Sequence, residues 1–281
     1  MEKLKKEIQD FWTRYPCAKN IINADVIDKD FFIAHDRIIE KTMPSHRKIF
    51  KYESCTGKRV LEIGCGMGAY ARHCAAYAKE FYAIDLSLKS IELTKRRFEL
   101  YGINNAHVQQ GDAENLDFQD NFFDYVYSNG VIHHTPNTNK AACEIYRVLK
   151  PGGEAVVMIY NKNSVFYWLD LMLLVRMKYV VLKLMPIKLA KVVFKRKPGV
   201  VELKKFLDET PWELLSDAAV RFCDGHFNPH TKVYTKKEAE RLFSQFKNIS
   251  MKLCSPKGRW LENIPAIDKY FGWGLFITAQ K

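Results

Sequence analysis

The feature that most constrains this chain is three glycines in five residues, Gly64-Cys65-Gly66-Met67-Gly68. They stand between an apolar run, Lys58–Ile63 (KRVLEI), and a helical pattern, Ala69–Ala78. Glycine tolerates the left-handed backbone that a tight strand-to-helix turn needs, and it lets a ligand come close to the main chain. The helix that follows would aim its first free N–H groups at that ligand. A chain with this turn is built around a strand that ends at a binding cleft.

The surrounding sequence agrees. Glu80–Ile84 reads as a second strand ending at Asp85, and Ser87–Tyr101 as a helix with Ser87 as its N-cap and Gly102 just past its end. Ala106–Gln110, Phe123–Tyr127 and Glu154–Tyr160 read as further strands, with Thr138–Leu149 as the helix that stops before Pro151-Gly152-Gly153. Alternation of short apolar runs with helical patterns predicts an α/β, Rossmann-like, mostly parallel sheet. After Tyr160 the rhythm breaks. Residues 164–185 are long and apolar but hold Asp170, Arg176, Lys178 and Lys183 on more than one face, which argues against a membrane-spanning helix. A helix over 186–197 is expected to place Lys188, Lys191 and Lys195 opposite Ile187, Ala190, Val193 and Phe194, the pattern of a basic interfacial helix. Regular structure resumes with the helix Thr235–Phe246 and the strands Ile249–Leu253 and Gly274–Ala279. The expected organisation is an N-terminal helical cap segment (1–56), a nucleoside-binding core (57–161), a basic helical insert (162–232) and the closing part of the core (233–281).

Charge is unevenly spread. Residues 1–160 carry 22 Lys and Arg against 21 Asp and Glu, whereas residues 161–281 carry 22 against 11. Within 162–205 there are 11 basic residues and only Asp170 and Glu202 as acids. Such a block implies a negatively charged partner: an anionic membrane surface, a nucleic acid or an acidic substrate. The seven cysteines form no CxxC pair, which argues against a zinc module and a disulfide framework and favours a reducing compartment. The opening MEKLKKEIQDFW has no apolar run behind its charged start, so no signal peptide is expected and the chain reads as cytoplasmic.

Four positions bear on the ligand. Asp85 lies 21 residues after Gly64 at a strand end, where a carboxylate accepts from both ribose hydroxyls of a nucleoside. Gly64, Gly66 and Ala69 also satisfy G-x-G-x-x-A, so a nicotinamide dinucleotide remains open at this point. Glu62 sits in an otherwise apolar strand, where an acid is costly beside a pyrophosphate but suits a ligand with an ammonium and a sulfonium. Gly111-Asp112-Ala113 offers a carboxylate to an adenine amino group, and the fourth strand brings Ser128-Asn129 to the same edge.

The stretches VLEIGCGMG (60–68), FYAIDLS (81–87), QQGDAENLDF (109–118), FDYVYSNGVIHHTPN (123–137) and YRVLKPGGEAVVMIY (146–160) resemble the class I S-adenosylmethionine-dependent methyltransferases. The resemblance covers 57–160 closely and 235–281 loosely. It implies a seven-stranded sheet with an antiparallel last strand near 274–280 and S-adenosylmethionine as cofactor. It further implies that Gly64, Gly66 and Gly68, with Glu62, hold the methionine end, Asp85 and Leu86 the ribose, Asp112 and Ala113 the adenine, and Asn129 the pocket wall. The stretch from Phe11-Trp12 through Phe31-Phe32 and Arg37 to Met43-Pro44 resembles the segment that small-molecule members place over the cofactor.

Methyl transfer from a sulfonium needs a collinear nucleophile and, for a hydroxyl or ammonium, a base. His133 and His134 follow the fourth strand, and one of them is the candidate base; the other reading is a loop-orienting role. His226 and His230 lie in a turn-rich stretch expected above the cleft and are candidate substrate contacts. Metal-dependent quinone methyltransferases carry acids where Gly130 and His133 stand, so no metal is expected. Asn129 is not followed by a proline and an aromatic, which counts against methylation of nucleic-acid bases. The function expected is O- or N-methylation of a small or amphipathic, lipid-like acceptor, with 162–205 either docking on an anionic membrane or only capping the site with its lysines solvated. The alternatives are a nicotinamide-dependent oxidoreductase and an RNA methyltransferase that uses the basic insert.

Overall fold

A computed structural model describes residues 1–16, 26–44, 46–193, 199–225, 227–254 and 265–281. The expectations for Phe194, Lys195 and His226 lie outside the described residues.

Two helices, α1 (Glu2–Arg14) and α2 (Lys29–Thr42), and one turn of helix, α3 (His46–Ile49), precede the sheet. Then come β1 (Arg59–Ile63), α4 (Ala69–Ala75), β2 (Glu80–Asp85), α5 (Leu88–Tyr101), β3 (Ala106–Gln110), β4 (Phe123–Asn129), α6 (Thr138–Val148) and β5 (Leu149–Tyr160). The strands lie in the order β3-β2-β1-β4-β5-β7-β6, where β6 is Lys247–Cys254 and β7 is Gly274–Gln280. Pairings from β3 through β5 are parallel, and β7 runs antiparallel to both β5 and β6. The order reverses between β1 and β4, which opens a crevice at the carboxyl ends of the strands.

Strand alternation builds the core in two layers. Tyr125, Tyr127, Val156 and Met158 face one side, against Ala71, Cys74 and Ala75 of α4 and Ile91 and Phe98 of α5. Val126, Ala155, Val157 and Ile159 face the other, against Ala141, Ala142, Ile145 and Val148 of α6. On that second side α11 (Lys236–Leu242) adds Ala239 and Leu242; its Thr235 N-cap forms a reciprocal capping box with Glu238. The expected caps of α5 are present: the Ser87 side chain accepts from Ser90 N–H, and Gly102 is left-handed at φ 66°.

Several boundaries moved. Helix α4 stops at Ala75, where Asn105 Nδ2 donates to the carbonyls of Ala75 and Ala78 and takes up the free end. Strand β5 begins at Leu149, because Lys281 extends the ladder beside the Pro-Gly-Gly turn: Gly152 N–H donates to Lys281 O, and Lys281 N–H to Gly153 O.

The insert region begins with a π-helical stretch, Phe166–Val175, that runs into α7 (Arg176–Leu184) and is followed by α8 (Ile187–Val193), α9 (Val200–Glu209) and α10 (Leu215–Arg221). Tyr179, Leu182, Ala190, Leu203, Leu207, Leu215, Ala218, Ala219 and Phe222 form a separate small core there. Lysines do structural work in it: Lys183 Nζ caps the end of α9 through the Thr210 carbonyl at 2.7 Å, and buried Lys204 pairs with Asp208. A helix does form over the described part of the stretch 186–197, as α8. Within it Ala190 is buried, while Leu189, Val192 and Val193 stand exposed beside Lys188 and Lys191. This described part packs chiefly on α9. Among the described residues no helix is long and apolar enough to cross a membrane.

Helix α2 is fastened over the sheet by a buried ion pair. Arg97 of α5 is fully buried; its Nη1 donates to Asp36 Oδ1 at 2.6 Å, and Arg72 of α4 donates to Asp36 Oδ2 at 3.3 Å. Phe31 and Phe32 of the same helix pack on Met67 of the glycine turn and Leu93 of α5. Burial alone would raise the Asp36 carboxyl, but His35, Arg97 and Arg72 around it hold it below the usual carboxylate range. A depressed folded-state pKa contributes stability above the unfolded-state value and loses it as pH falls through the folded one. Asp36→Ala should therefore cost about 3 kcal/mol at pH 7, because it strands a buried guanidinium. Urea titrations should show that this deficit shrinks in acid, below the ordinary carboxylate range.

Candidate active site

The glycine turn is built by backbone geometry. Gly64, Gly66 and Gly68 have φ of 78°, 55° and 72°. Gly64 N–H and Cys65 N–H both donate to the Ile84 carbonyl, at 2.8 and 3.0 Å, which ties the end of β1 to β2. A Cβ on Gly64 would lie 2.2 Å from Val131 Cγ2, so both the conformation and the space require glycine. Gly68 is the N-cap of α4, and Thr94 Oγ1 of α5 holds the Gly66 carbonyl at 3.0 Å.

A cavity of about 860 Å³ opens over this turn, large enough for a nucleoside and a second small molecule. Glu62, Gly64, Gly66, Asp85, Leu86, Asp112, Ala113 and Asn129 all line it, so the sheet brings eight of the nine expected cofactor residues to one crevice. Gly68 does not line it; it starts the helix behind. Asp85 is held by its neighbours, Oδ2 accepting from Gly66 N–H and Oδ1 from Ser87 N–H, each at 2.9 Å. The Leu86 carbonyl accepts from Gln9 and Gln110 at 3.2 and 2.9 Å. Glu62 is buried and its Oε2 has no hydrogen-bond partner, as is also true of Asn129 Oδ1. Burial pushes the Glu62 carboxyl well above its usual value, and burial likewise raises Asp85, against the N–H groups of Ser87 and Gly66.

This lining fits S-adenosylmethionine on charge. Three acids, Glu62, Asp85 and Asp112, line one space with Asn129, and in it Glu62 Oε2 and Asn129 Oδ1 have no hydrogen-bond donor. An ammonium, a ribose diol and an exocyclic amine supply such donors. A pyrophosphate would place two more negative charges there. Lys5 of α1 is the only lysine or arginine among the described lining residues, and it is already paired, with Asp112 at 2.6 Å and Glu114 at 3.0 Å.

The histidine pair divides. His134 lines the cavity, whereas His133 is fully buried behind it, 4.0 Å from the Tyr160 ring by centroids, and neither of its ring nitrogens has a hydrogen-bond partner. Burial pushes His133 well below the ordinary imidazole value. His134 Nδ1 lies 2.9 Å from the His230 carbonyl and its Nε2 lies 3.4 Å from Asp224 Oδ2. Burial lowers the His134 pKa too, opposed by the charge of Asp224. His230 meets this arrangement through its backbone; its ring is not in the cavity lining.

Residues that sequence reasoning missed stand at the same end. Asp224 Oδ1 accepts from Tyr160 Oη at 2.6 Å, and Trp12 of α1 lies edge-on to His134 at 5.2 Å. Asp224 opens the turn that contains His226 and His230, and its carboxylate was the signal available. His46 was missed as well: its Nδ1 accepts from Asn129 Nδ2 at 3.3 Å, and burial lowers its pKa to about 4. Among the described residues no three metal-ligating side chains converge.

Residues 61–157 match the family model described as a methyltransferase domain. Over 108 residues the chain is 36% identical to phosphoethanolamine N-methyltransferase 2 of Caenorhabditis elegans, across 38% of this chain and 25% of that protein. Over 100 residues it is 38% identical to phthiotriol/phenolphthiotriol dimycocerosates methyltransferase 1 of Mycobacterium ulcerans, across 35% of this chain and 36% of that one. The matches thus span only about a quarter to a third of these relatives' length. The solved structure of Haemonchus contortus phosphoethanolamine N-methyltransferase 2 in complex with S-adenosyl-L-methionine shares the fold, with a TM-score of 0.57 at 18% identity, covering 98% of this chain and 60% of that one. Residues 61–157 thus carry a methyltransferase-domain match, and the chain shares the fold of a solved methyltransferase bound to S-adenosyl-L-methionine.

Proposed function

We propose that this protein transfers the methyl group of S-adenosylmethionine to a small or amphipathic acceptor, at oxygen or nitrogen. The observation that carries this reading is the acidic lining of the glycine turn: Glu62 Oε2 and Asn129 Oδ1, buried without a donor, with Asp85 and Asp112 at the ends of the next two strands. S-adenosylmethionine, when bound, supplies a methyl carbon already activated by its sulfonium.

On this reading Glu62, Gly64, Gly66 and Gly68 hold the amino-acid end, Asp85 and Leu86 the ribose, Asp112 and Ala113 the base, and Asn129 the wall beside the reacting carbon. The chain's work is placement and exclusion of water. Residues 1–56 and 162–232 form the cap for it, over a core of 57–161 and 233–281. Helix α1 closes the cavity through Lys5 on Asp112 and Gln9 on Leu86, and α2 through Asp36 on Arg97. His134 is the base for a protonated acceptor: a carbonyl can only accept, so Nδ1 carries the ring proton toward His230 O and Nε2 keeps its lone pair. His133 has no path to the acceptor, and His230 acts through its carbonyl.

The acceptor is amphipathic, and the protein works intracellularly at an anionic membrane surface. Leu174, Met177, Val181 and Leu184 are exposed at helical spacing along one side of the π-helical stretch and α7, with Trp168 exposed a turn and a half before them. Exposed Arg176, Lys178, Lys188 and Lys191 lie among these and the apolar residues of α8. A patch both greasy and basic matches the interface of an anionic bilayer in both respects. The relatives, named as a phosphoethanolamine N-methyltransferase and a phthiotriol/phenolphthiotriol dimycocerosates methyltransferase, agree with an acceptor of this kind.

Calorimetry with S-adenosylhomocysteine should show binding to the wild type. Asp85→Ala should weaken it by roughly 1.5–3 kcal/mol through lost charge-assisted hydrogen bonds. Unchanged affinity, or protection by NAD(P)H with none by S-adenosylhomocysteine, would refute the cofactor assignment. The protein should also sediment with vesicles that contain phosphatidylglycerol but not with phosphatidylcholine alone. Lys188→Glu with Lys191→Glu should weaken this by about tenfold or more, since each basic residue near such a surface is worth about 1 kcal/mol. Met177→Asp with Val181→Asp should abolish it, and sedimentation that survives both double changes would dismiss the docking surface.

A further inference from the structure

The acceptor end of the cavity holds two acceptors that face each other without a proton between them. His134 Nδ1–H is committed to the His230 carbonyl at 2.9 Å, which leaves the Nε2 lone pair pointing at Asp224 Oδ2, 3.4 Å away. Asp224 is anchored for this: Oδ1 accepts from Tyr160 Oη at 2.6 Å, and Cys223 Sγ donates weakly to Oδ2 at 3.4 Å. A lone pair set against a carboxylate oxygen in a partly dry space is unfavourable unless a donor bridges them. Burial lowers the His134 pKa, against the charge of Asp224, and so disfavours a second ring proton as that donor.

The walls around this pair are aromatic. Trp12 meets the His134 ring edge-on at 5.2 Å, Tyr160 packs behind it, and Phe11 and Phe227 line the same space, with Phe11 Cζ 3.3 Å from where a Cβ of Gly225 would stand. No Lys or Arg among the described lining residues balances Asp224 here. Lys5 is seven residues from Trp12 along α1, roughly 10 Å away, and is already paired with Asp112 and Glu114. One carboxylate among aromatic faces attracts a cation, both by charge and by the ring quadrupoles.

We infer that the methyl acceptor is a cationic amine, whose ammonium group bridges Asp224 Oδ2 and His134 Nε2 against the rings of Trp12 and Tyr160. This rests on the methyltransferase reading and narrows it from oxygen or nitrogen to nitrogen. The ammonium gives one proton to His134 Nε2, and the N–H electron pair stays on nitrogen. That pair forms the new N–CH3 bond while the C–S bond breaks onto sulfur, giving a methylammonium and a neutral thioether. The proton on His134 passes to solvent, and Asp224 stabilises the transient imidazolium as well as the cationic substrate and product.

Hexylamine, hexanol and hexanoate, equal in length and different in charge, test this by ligand-observed NMR or Trp12 fluorescence, with and without S-adenosylhomocysteine. Wild type should bind hexylamine at least tenfold tighter than hexanol, with hexanoate undetected. In Asp224→Asn the gap should close to within about twofold while S-adenosylhomocysteine affinity is unchanged. Hexanol binding as tightly as hexylamine, hexanoate binding best, or a gap that survives in Asp224→Asn overturns the inference. Should Asp224→Asn lose its fold by circular dichroism, the three wild-type affinities decide alone. Selective amine binding without S-adenosylhomocysteine binding would sink the methyltransferase reading and leave the amine site standing.

Discussion

Two hydrogen bonds onto one carbonyl support most of what this molecule does. When Gly64 N–H and Cys65 N–H both bond to Ile84 O, β1 ends in a turn that doubles back beside β2 and exposes main chain to the cavity. The turn stays tight because Val131 fills the space where any side chain on Gly64 would go. From that point Glu62, Asp85 and Asp112 stand on or just past three neighbouring strands, β1, β2 and β3, and all three line one crevice. Without the turn the same three acids would be buried liabilities.

The cavity is electrically one-sided by construction. Among the described residues, acids at the strand ends face a single lysine that is already paired, and the aromatic end adds Asp224 with His134. Burial raises Glu62, and raises Asp85 against the N–H groups of Ser87 and Gly66. A ligand rich in N–H and O–H donors relieves that cost; an anion would add to it. Of the two N-terminal helices, α1 reaches Asp112 beside the cavity through Lys5, and α2 reaches α5 and α4 through Asp36 on Arg97 and Arg72.

The insert was the hardest part to read. Its apolar run and its lysines were plain, but their partition was not. Lys183 and Lys204 spend their charge inside the insert, on the end of α9 and on Asp208, whereas Lys188 and Lys191 remain exposed. A lysine that caps a helix end and one that faces solvent look the same in a helical wheel. What separates them is the neighbouring helix, and no local pattern names it.

The succession of strands along the chain, the glycine turn and the acids at the strand ends were legible from residue order alone, because each depends on local chemistry: period-two burial, left-handed glycines, and a carboxylate at the first polar position after a strand. The antiparallel last strand came from resemblance, not from periodicity. Only the folded chain separated His134 from His133, since a one-residue step turns one ring toward the cavity and the other into the core. It alone set Asp224 against His134 across 90 residues of sequence, and Asp36 against Arg97 across 61. Such pairs are made by packing between distant elements, and their energy comes from shared burial, which no segment possesses by itself.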